Sequence, residues 1–127
     1  MRVLLDTNVL LRALAGDPAV DGMRDILLAD ETEVYVSVLS WWDIAARVEA
    51  GLLQADLKEL RAAAVESGFV ELPLRGEHIG GLSAASGTGL DITSFDRMIA
   101  AQAEIEPLRL ISADPRLAGR FSLFVRA

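Results

Sequence analysis

The sequence predicts an α/β fold with a mainly parallel central sheet of about five strands flanked by helices, in one domain spanning residues 1–127. Short runs rich in branched apolar residues alternate with segments whose apolar residues recur every three or four positions, which is the pattern of strand–helix units. Glycines and prolines punctuate that alternation: Gly16, Gly51 and Gly68 fall where helices should stop, and Pro18 and Pro115 where helices should start. The chain has 127 residues, 52% of them hydrophobic, and no cysteine, so a single core has to hold it together without disulfides.

Taken in order, the first strand is expected at residues 3–5, with a helix beginning near Thr7. Val20, Met23 and Leu27 make the next helical stripe, and a strand follows at 34–38. Ile44, Val48 and Leu52 form another stripe, continued by Leu57, Leu60 and Ala64, before a strand at 69–72. The Gly/Ser-rich stretch 80–89 reads as a loop. Phe95, Met98, Ile99 and Ile105 belong to a later helix, and strands are expected at 108–111 and 123–125.

Composition narrows the function classes. The absence of cysteine excludes a thiol nucleophile and Cys-ligated zinc, and the single His78 excludes multi-histidine metal sites. Charges interrupt every apolar stretch well short of about 18 residues, so no membrane span is expected despite a mean hydropathy of +0.35. Asp6 arrives too early for a signal-peptide core, which points to a soluble cytoplasmic protein. Twelve Lys and Arg against nineteen Asp and Glu give a net charge of −7, the wrong sign for the usual nucleic-acid footprint.

Where the acids fall matters more than their sum. Ligands of open α/β sheets bind outside the carboxyl ends of the strands. Asp6 ends the first strand, Asp43 follows the second, Asp96 opens a helix and Asp114 follows the 108–111 strand. Each has an ordinary explanation. Ser40-Trp41-Trp42-Asp43 and Thr93-Ser94-Phe95-Asp96 match the capping-box template, Asp114 before Pro115 looks like an N-cap, and Asp6 suits the cap of the helix beginning near Thr7. Caps have no need to converge, however. Carboxylates that do converge repel unless protonated or bridged by a cation. Oxygen-only ligands select Mg²⁺ or Mn²⁺, and such a site suits hydrolysis of a phosphodiester.

These residues resemble those of PIN-domain ribonucleases, specifically the VapC-type toxins of bacterial toxin–antitoxin pairs. Leu4-Leu5-Asp6-Thr7-Asn8-Val9-Leu10-Leu11 reproduces that family's opening motif. Residues 36–51 are similar to its Ser-rich strand followed by Trp-Glu-Ile-Ala and a later Gly. Ser94-Phe95-Asp96-Arg97-Met98-Ile99-Ala100-Ala101-Gln102-Ala103 is similar to its Phe-Asp-Arg…Ala-Gln-Ala helix, and Ile111-Ser112-Ala113-Asp114 to its last strand end. By position the resemblance implies that Asp6, Asp96 and Asp114 bind metal and that Asp43, one methylene shorter, takes the place of the usual Glu in the catalytic set. Thr93-Ser94 stands where many members carry Asp-Pro. The resemblance further implies Mg²⁺- or Mn²⁺-dependent cleavage of RNA, a homodimer, and an antitoxin whose segment occupies the active-site groove.

Supporting roles are open to Thr7, Asn8 and Ser112 through metal-bound water, phosphate or the orientation of a neighbouring aspartate, with helix-start chemistry as the alternative. Arg97 is expected in a structural ion pair, with RNA phosphate as its alternative partner. Arg12 and Arg47, each about one turn beyond a candidate ligand, are expected on solvated helix faces, with lining the groove as the alternative. His78 is expected on an ordinary helix near the surface. Trp41 and Trp42 should divide between core and surface, because adjacent helical residues point about 100° apart. Apolar surface left over in so small a domain would serve a dimer seam or an antitoxin groove. Two rivals remain: a PIN domain that no longer cleaves and works as a metal-, RNA- or protein-binding module, and a phospho-accepting receiver domain. The only lysine, Lys58, lies away from any expected strand end and disfavours the latter.

Overall fold

The computed structural model describes residues 1–16, 24–85, 89–117 and 125–126. In chain order these form β1 (Arg2–Leu5), α1 (Thr7–Ala15), α2 (Arg24–Leu28), β2 (Glu33–Ser37), α3 (Val38–Glu49), α4 (Leu57–Glu66), β3 (Val70–Leu72), α5 (Gly76–Gly80), a 3₁₀ turn (Leu82–Ala85), α6 (Phe95–Ile105), β4 (Arg109–Ser112), a second 3₁₀ turn (Pro115–Leu117) and β5 (Val125–Arg126). The expected residues Pro18, Val20, Met23, Leu123 and Phe124, and 86–88 of the expected loop, lie outside the described residues.

Every strand pairing is parallel, in the order β3-β2-β1-β4-β5, with β5 contributing only two residues. β1 is central: Leu4 stands opposite Tyr35 of β2 and Leu110 of β4. The chain builds outward from β1 through β2 to β3, then returns to the other side of β1 for β4. Its direction of winding therefore reverses between β1 and β4, where open parallel sheets leave a crevice at their carboxyl ends.

The period-two alternation of strand side chains divides the core into two layers. Leu4 and Leu110 point into one layer, with Leu39, Leu72, Leu108 and the α6 residues Ile99, Ala100 and Ala103. Val3, Leu5, Val34, Val36 and Ile111 point into the other, against Val9 and Leu10 of α1, Trp41 and Ile44 of α3 and Ala64 of α4. Alanines at 100, 101 and 103, all essentially buried, let α6 approach the sheet closely. Gln102, also fully buried, accepts from Ser37 Oγ and donates to the Pro73 carbonyl, so α6 is tied to the ends of β2 and β3.

Helix boundaries follow local chemistry. Gly16 closes α1 at φ 66°, a left-handed conformation that glycine adopts without a Cβ penalty. Ser37 caps α3 through Leu39 N–H, so Val38 belongs to the helix and not to the strand expected at 34–38. Ser40 is accordingly inside α3 and is not a cap. Ser94, not Thr93, caps α6 through Arg97 N–H. The stretch expected to be loop at 80–89 contains the 3₁₀ turn, and Arg97 clamps it by donating to the carbonyls of Leu82 and Leu90. That role replaces the ion pair expected for Arg97. Trp41 is buried and Trp42 exposed, as adjacency on a helix requires. Among the described residues no helix is long and apolar enough to cross a membrane.

Candidate active site

β1 and β4 lie side by side, so the residues after them emerge together at the crevice. Asp6 follows Leu5 directly and is 4% exposed. It caps α1, accepting from Val9 N–H at 2.8 Å, and the nearby Ser112 hydroxyl favours its charged form. Ser112 Oγ in turn accepts from Asp114 N–H at 3.0 Å. One buried hydroxyl thus stands between the two acids. Asp114 caps the short turn at Pro115 as its Asp-Pro sequence suggests, accepting from Arg116 N–H at 2.9 Å.

Asp96 arrives from a different direction, on the first turn of α6, where it feels the charge of the other three acids. Burial, followed by repulsion from Asp6, Asp43 and Asp114, pushes its carboxyl up to about 6. Burial also raises Asp6, against the opposing bonds from Ser112 and Val9. Asp114 is lowered, mainly by its hydrogen bond from Arg116. An open cleft of about 260 Å³ is lined by Asp6, Asn8, Arg12, Asp96, Ala113, Asp114 and Arg116. The caps therefore do converge: Asp6 and Asp114 serve helix starts and face the same cleft as Asp96.

Asp43 is close enough to repel Asp96, but it is not among the residues lining the cleft. Its carboxylate is held by Arg47, one helical turn on, through Nε at 2.9 Å and Nη2 at 3.1 Å. Arg47 Nη1 also donates to Asn8 Oδ1 at 2.9 Å. Arg47 is therefore fixed between α3 and α1 instead of lying on a solvated face. Thr7 is fully buried and donates to Ser40 Oγ, which makes it a brace between the same two helices.

Sequence reasoning missed Arg116. It grips Asp114 through Nε and Nη2 at 2.8–3.2 Å and stands at the rim of the cleft. The signal was its position two residues after a capping aspartate. His78 is a correction of a different kind: it sits on a helix, but buried, with Nδ1 accepting from Arg75 N–H and Nε2 on Glu106. Glu77, His78 and Glu106 are the one group of three ligand-type side chains, among the described residues, with donor atoms all within 4.8 Å. With Nδ1 accepting, the ring proton is on Nε2 and points at Glu106, so the imidazole offers an ion no lone pair.

The aspartates suit a hard cation better. Asp6, Asp96 and Asp114 supply oxygen donors only, and the repulsion concentrated on Asp96 is the electrostatic situation a divalent ion relieves. Their donor atoms do not all lie within 4.8 Å of one another, an arrangement that would suit a magnesium-type ion held directly by one or two carboxylates with waters filling the rest of its shell.

Comparisons with known proteins agree with this architecture. The chain resembles a VapBC2 structure from Rickettsia felis bound to a DNA fragment from its promoter, with TM-score 0.69 and 18% identity, covering 100% of this chain and 98% of the other. It resembles a toxin–antitoxin complex from Klebsiella pneumoniae, with TM-score 0.67 and 21% identity over 97% and 95%. A VapBC-1 structure from nontypeable Haemophilus influenzae gives TM-score 0.67 and 17% identity over 100% and 97%. At these identities the likeness is one of fold. A search of curated protein sequences found no match. The PIN domain family model matches residues 3–120, almost the whole length over which the sheet, helices and acidic cleft are built, and the chain belongs to the PIN domain family.

Proposed function

We propose that this protein is a Mg²⁺- or Mn²⁺-dependent endoribonuclease that hydrolyses RNA phosphodiester bonds, acting as the toxin of a toxin–antitoxin pair. The observation that carries the reading is the position of Asp96, half-buried at the start of α6, facing the same cleft as Asp6 and Asp114 and repelled by Asp6, Asp43 and Asp114. Evolutionary membership of the PIN family and the likeness to chains from VapBC complexes support it.

Asp6, Asp96 and Asp114 would hold the ion. When bound, it supplies a water of lowered pKa and neutralises charge on the phosphodiester. The chain's own residues do the rest. Ser112 holds the backbone of Asp114 and favours the charged form of Asp6 beside it. Asn8 and Thr7 brace α1 against α3 through Arg47 and Ser40. Arg12 and Arg116 at the cleft rim offer phosphate oxygens positive charge within an otherwise acidic chain. An antitoxin segment carrying basic residues would fit the same cleft and block it, and the exposed Trp42, Ile92 and Val38 offer apolar surface to such a partner or to a second copy of the chain.

The test is cleavage of a panel of RNAs with Mg²⁺ or Mn²⁺, with EDTA, and with Asp6→Asn or Asp96→Asn. Metal-dependent cutting lost in both variants is expected, and undiminished cutting by either variant overturns the assignment. A second reading, a PIN domain that binds without cleaving, is favoured by one observation: the Asp43 carboxylate is already satisfied by Arg47. Metal uptake with no turnover on any RNA in the panel would support it instead.

A further inference from the structure

A fourth carboxylate near a three-aspartate site ordinarily serves a second cation or orients the attacking water. Here Asp43 is gripped by an arginine of the same helix and does not line the cleft, whereas Asp114, gripped in the same way by Arg116, does line it. Arg47 engages both oxygens of Asp43 side-on and reaches Asn8 with its remaining terminal nitrogen. Asn8 lines the acidic cleft, and the Arg47 charge is near enough to oppose the rise in the Asp96 carboxyl. Three of the five guanidinium N–H groups are used on these acceptors. Two remain, on a side chain that is 30% exposed, while Asp43 is only 10% exposed. The acid is the anchored member of the pair and the arginine the accessible one.

We propose that Arg47, held by Asp43 and by the cleft residue Asn8, adds a positive centre to those of Arg12 and Arg116: it receives a phosphate oxygen of the cut strand, and the site takes up a single divalent ion on Asp6, Asp96 and Asp114. Asp43 is then a positioning residue that orients Arg47, not a metal ligand. The shorter side chain at 43 fits this role, because an aspartate at i and an arginine at i+4 close a bidentate pair along one face of α3. A guanidinium in this place presents fixed, planar donors to a phosphate without needing a second ion, and a lysine would supply only a point charge. The inference rests on the proposed three-aspartate ion site.

The experiment counts Mn²⁺ ions by calorimetry and by the paramagnetic signal of free Mn²⁺, using wild type, Asp43→Asn, Arg47→Ala, Arg47→Lys and Asp96→Asn, all checked for folding by circular dichroism. Wild type is expected to bind one ion. Asp43→Asn should retain Mn²⁺ affinity within about threefold, whereas Asp96→Asn should lose at least about tenfold. Arg47→Ala frees the Asp43 carboxylate and should tighten Mn²⁺ binding or admit a second ion, while raising KM for a short RNA by about tenfold or more; Arg47→Lys should recover part of the KM. Two ions in wild type, or loss of Mn²⁺ affinity in Asp43→Asn equal to that in Asp96→Asn, overturns the proposal while leaving the metal-dependent reading intact. No ion in wild type overturns both.

Discussion

Three side chains show how much a single residue decides here. Asp96 has a folded-state pKa near 6 against an ordinary value of 3.8, so between those limits the folded chain holds a proton that the unfolded chain has lost. Its contribution to stability is fully present below about 4 and is lost as pH rises through about 6. The metal-free protein should therefore melt at lower temperature at pH 7.5 than at pH 5.5, and Asp96→Asn should flatten that difference; thermal melts across the range check it. Ser112 supports the site from between two of its acids: its hydroxyl favours the charged form of Asp6 and accepts from the Asp114 N–H. Ser112→Ala should weaken Mn²⁺ binding by about tenfold while costing about 1 kcal/mol of stability, read by calorimetry and urea unfolding. His78 makes the opposite case. His78→Ala leaves Arg75 N–H and Glu106 without their buried partner and should destabilise by about 2 kcal/mol, with RNA cleavage retained at temperatures where the variant stays folded.

At the scale of elements, the site exists because parallel strands deliver their carboxyl ends to one edge. Asp6 and Asp114 follow β1 and β4 at that edge, and α6 runs back so that its first turn meets them. Their convergence was legible in the sequence, since strand-end aspartates and the alternation of strand and helix are both local patterns. The fold was legible for the same reason: apolar runs at 3–5 and 108–111 needed no knowledge of their neighbours. Side-chain partnerships across elements were not. Nothing local tells that Arg47 would turn to Asp43 and Asn8, that Arg97 would clamp the Leu82 and Leu90 carbonyls, or that His78 would be buried against Glu106 from α6's end. Helix starts were misjudged by a turn where several hydroxyls compete, as at Ser37 and Ser40, because the capping template is satisfied by any suitable Ser. Where the punctuation was unambiguous it can be tested. Gly16→Ala places a Cβ on a residue at φ 66° and should cost about 1 kcal/mol, seen as a lower urea midpoint with an unchanged m-value.

For the molecule as a whole, a net charge of −7 is compatible with RNA as a substrate once its distribution is known. Four of the acids are collected near one cleft, which Arg12 and Arg116 line and to whose Asn8 Arg47 is bonded. Three arginine–phosphate contacts would give single-stranded RNA binding a log–log salt slope of about −2. Fluorescence anisotropy with Asp96→Asn, which is not expected to cut, measures it; a slope near zero would remove these arginines from the interface. The central claim, that Asp6, Asp96 and Asp114 form a divalent-cation site, is tested most directly by melting wild type and Asp96→Asn at pH 7.5 over a Mn²⁺ titration. Wild type should begin with the lower melting temperature, because its carboxylates repel, and should rise with Mn²⁺ until it overtakes a variant that barely responds. Equal responses in the two proteins, or none in wild type, would contradict the claim.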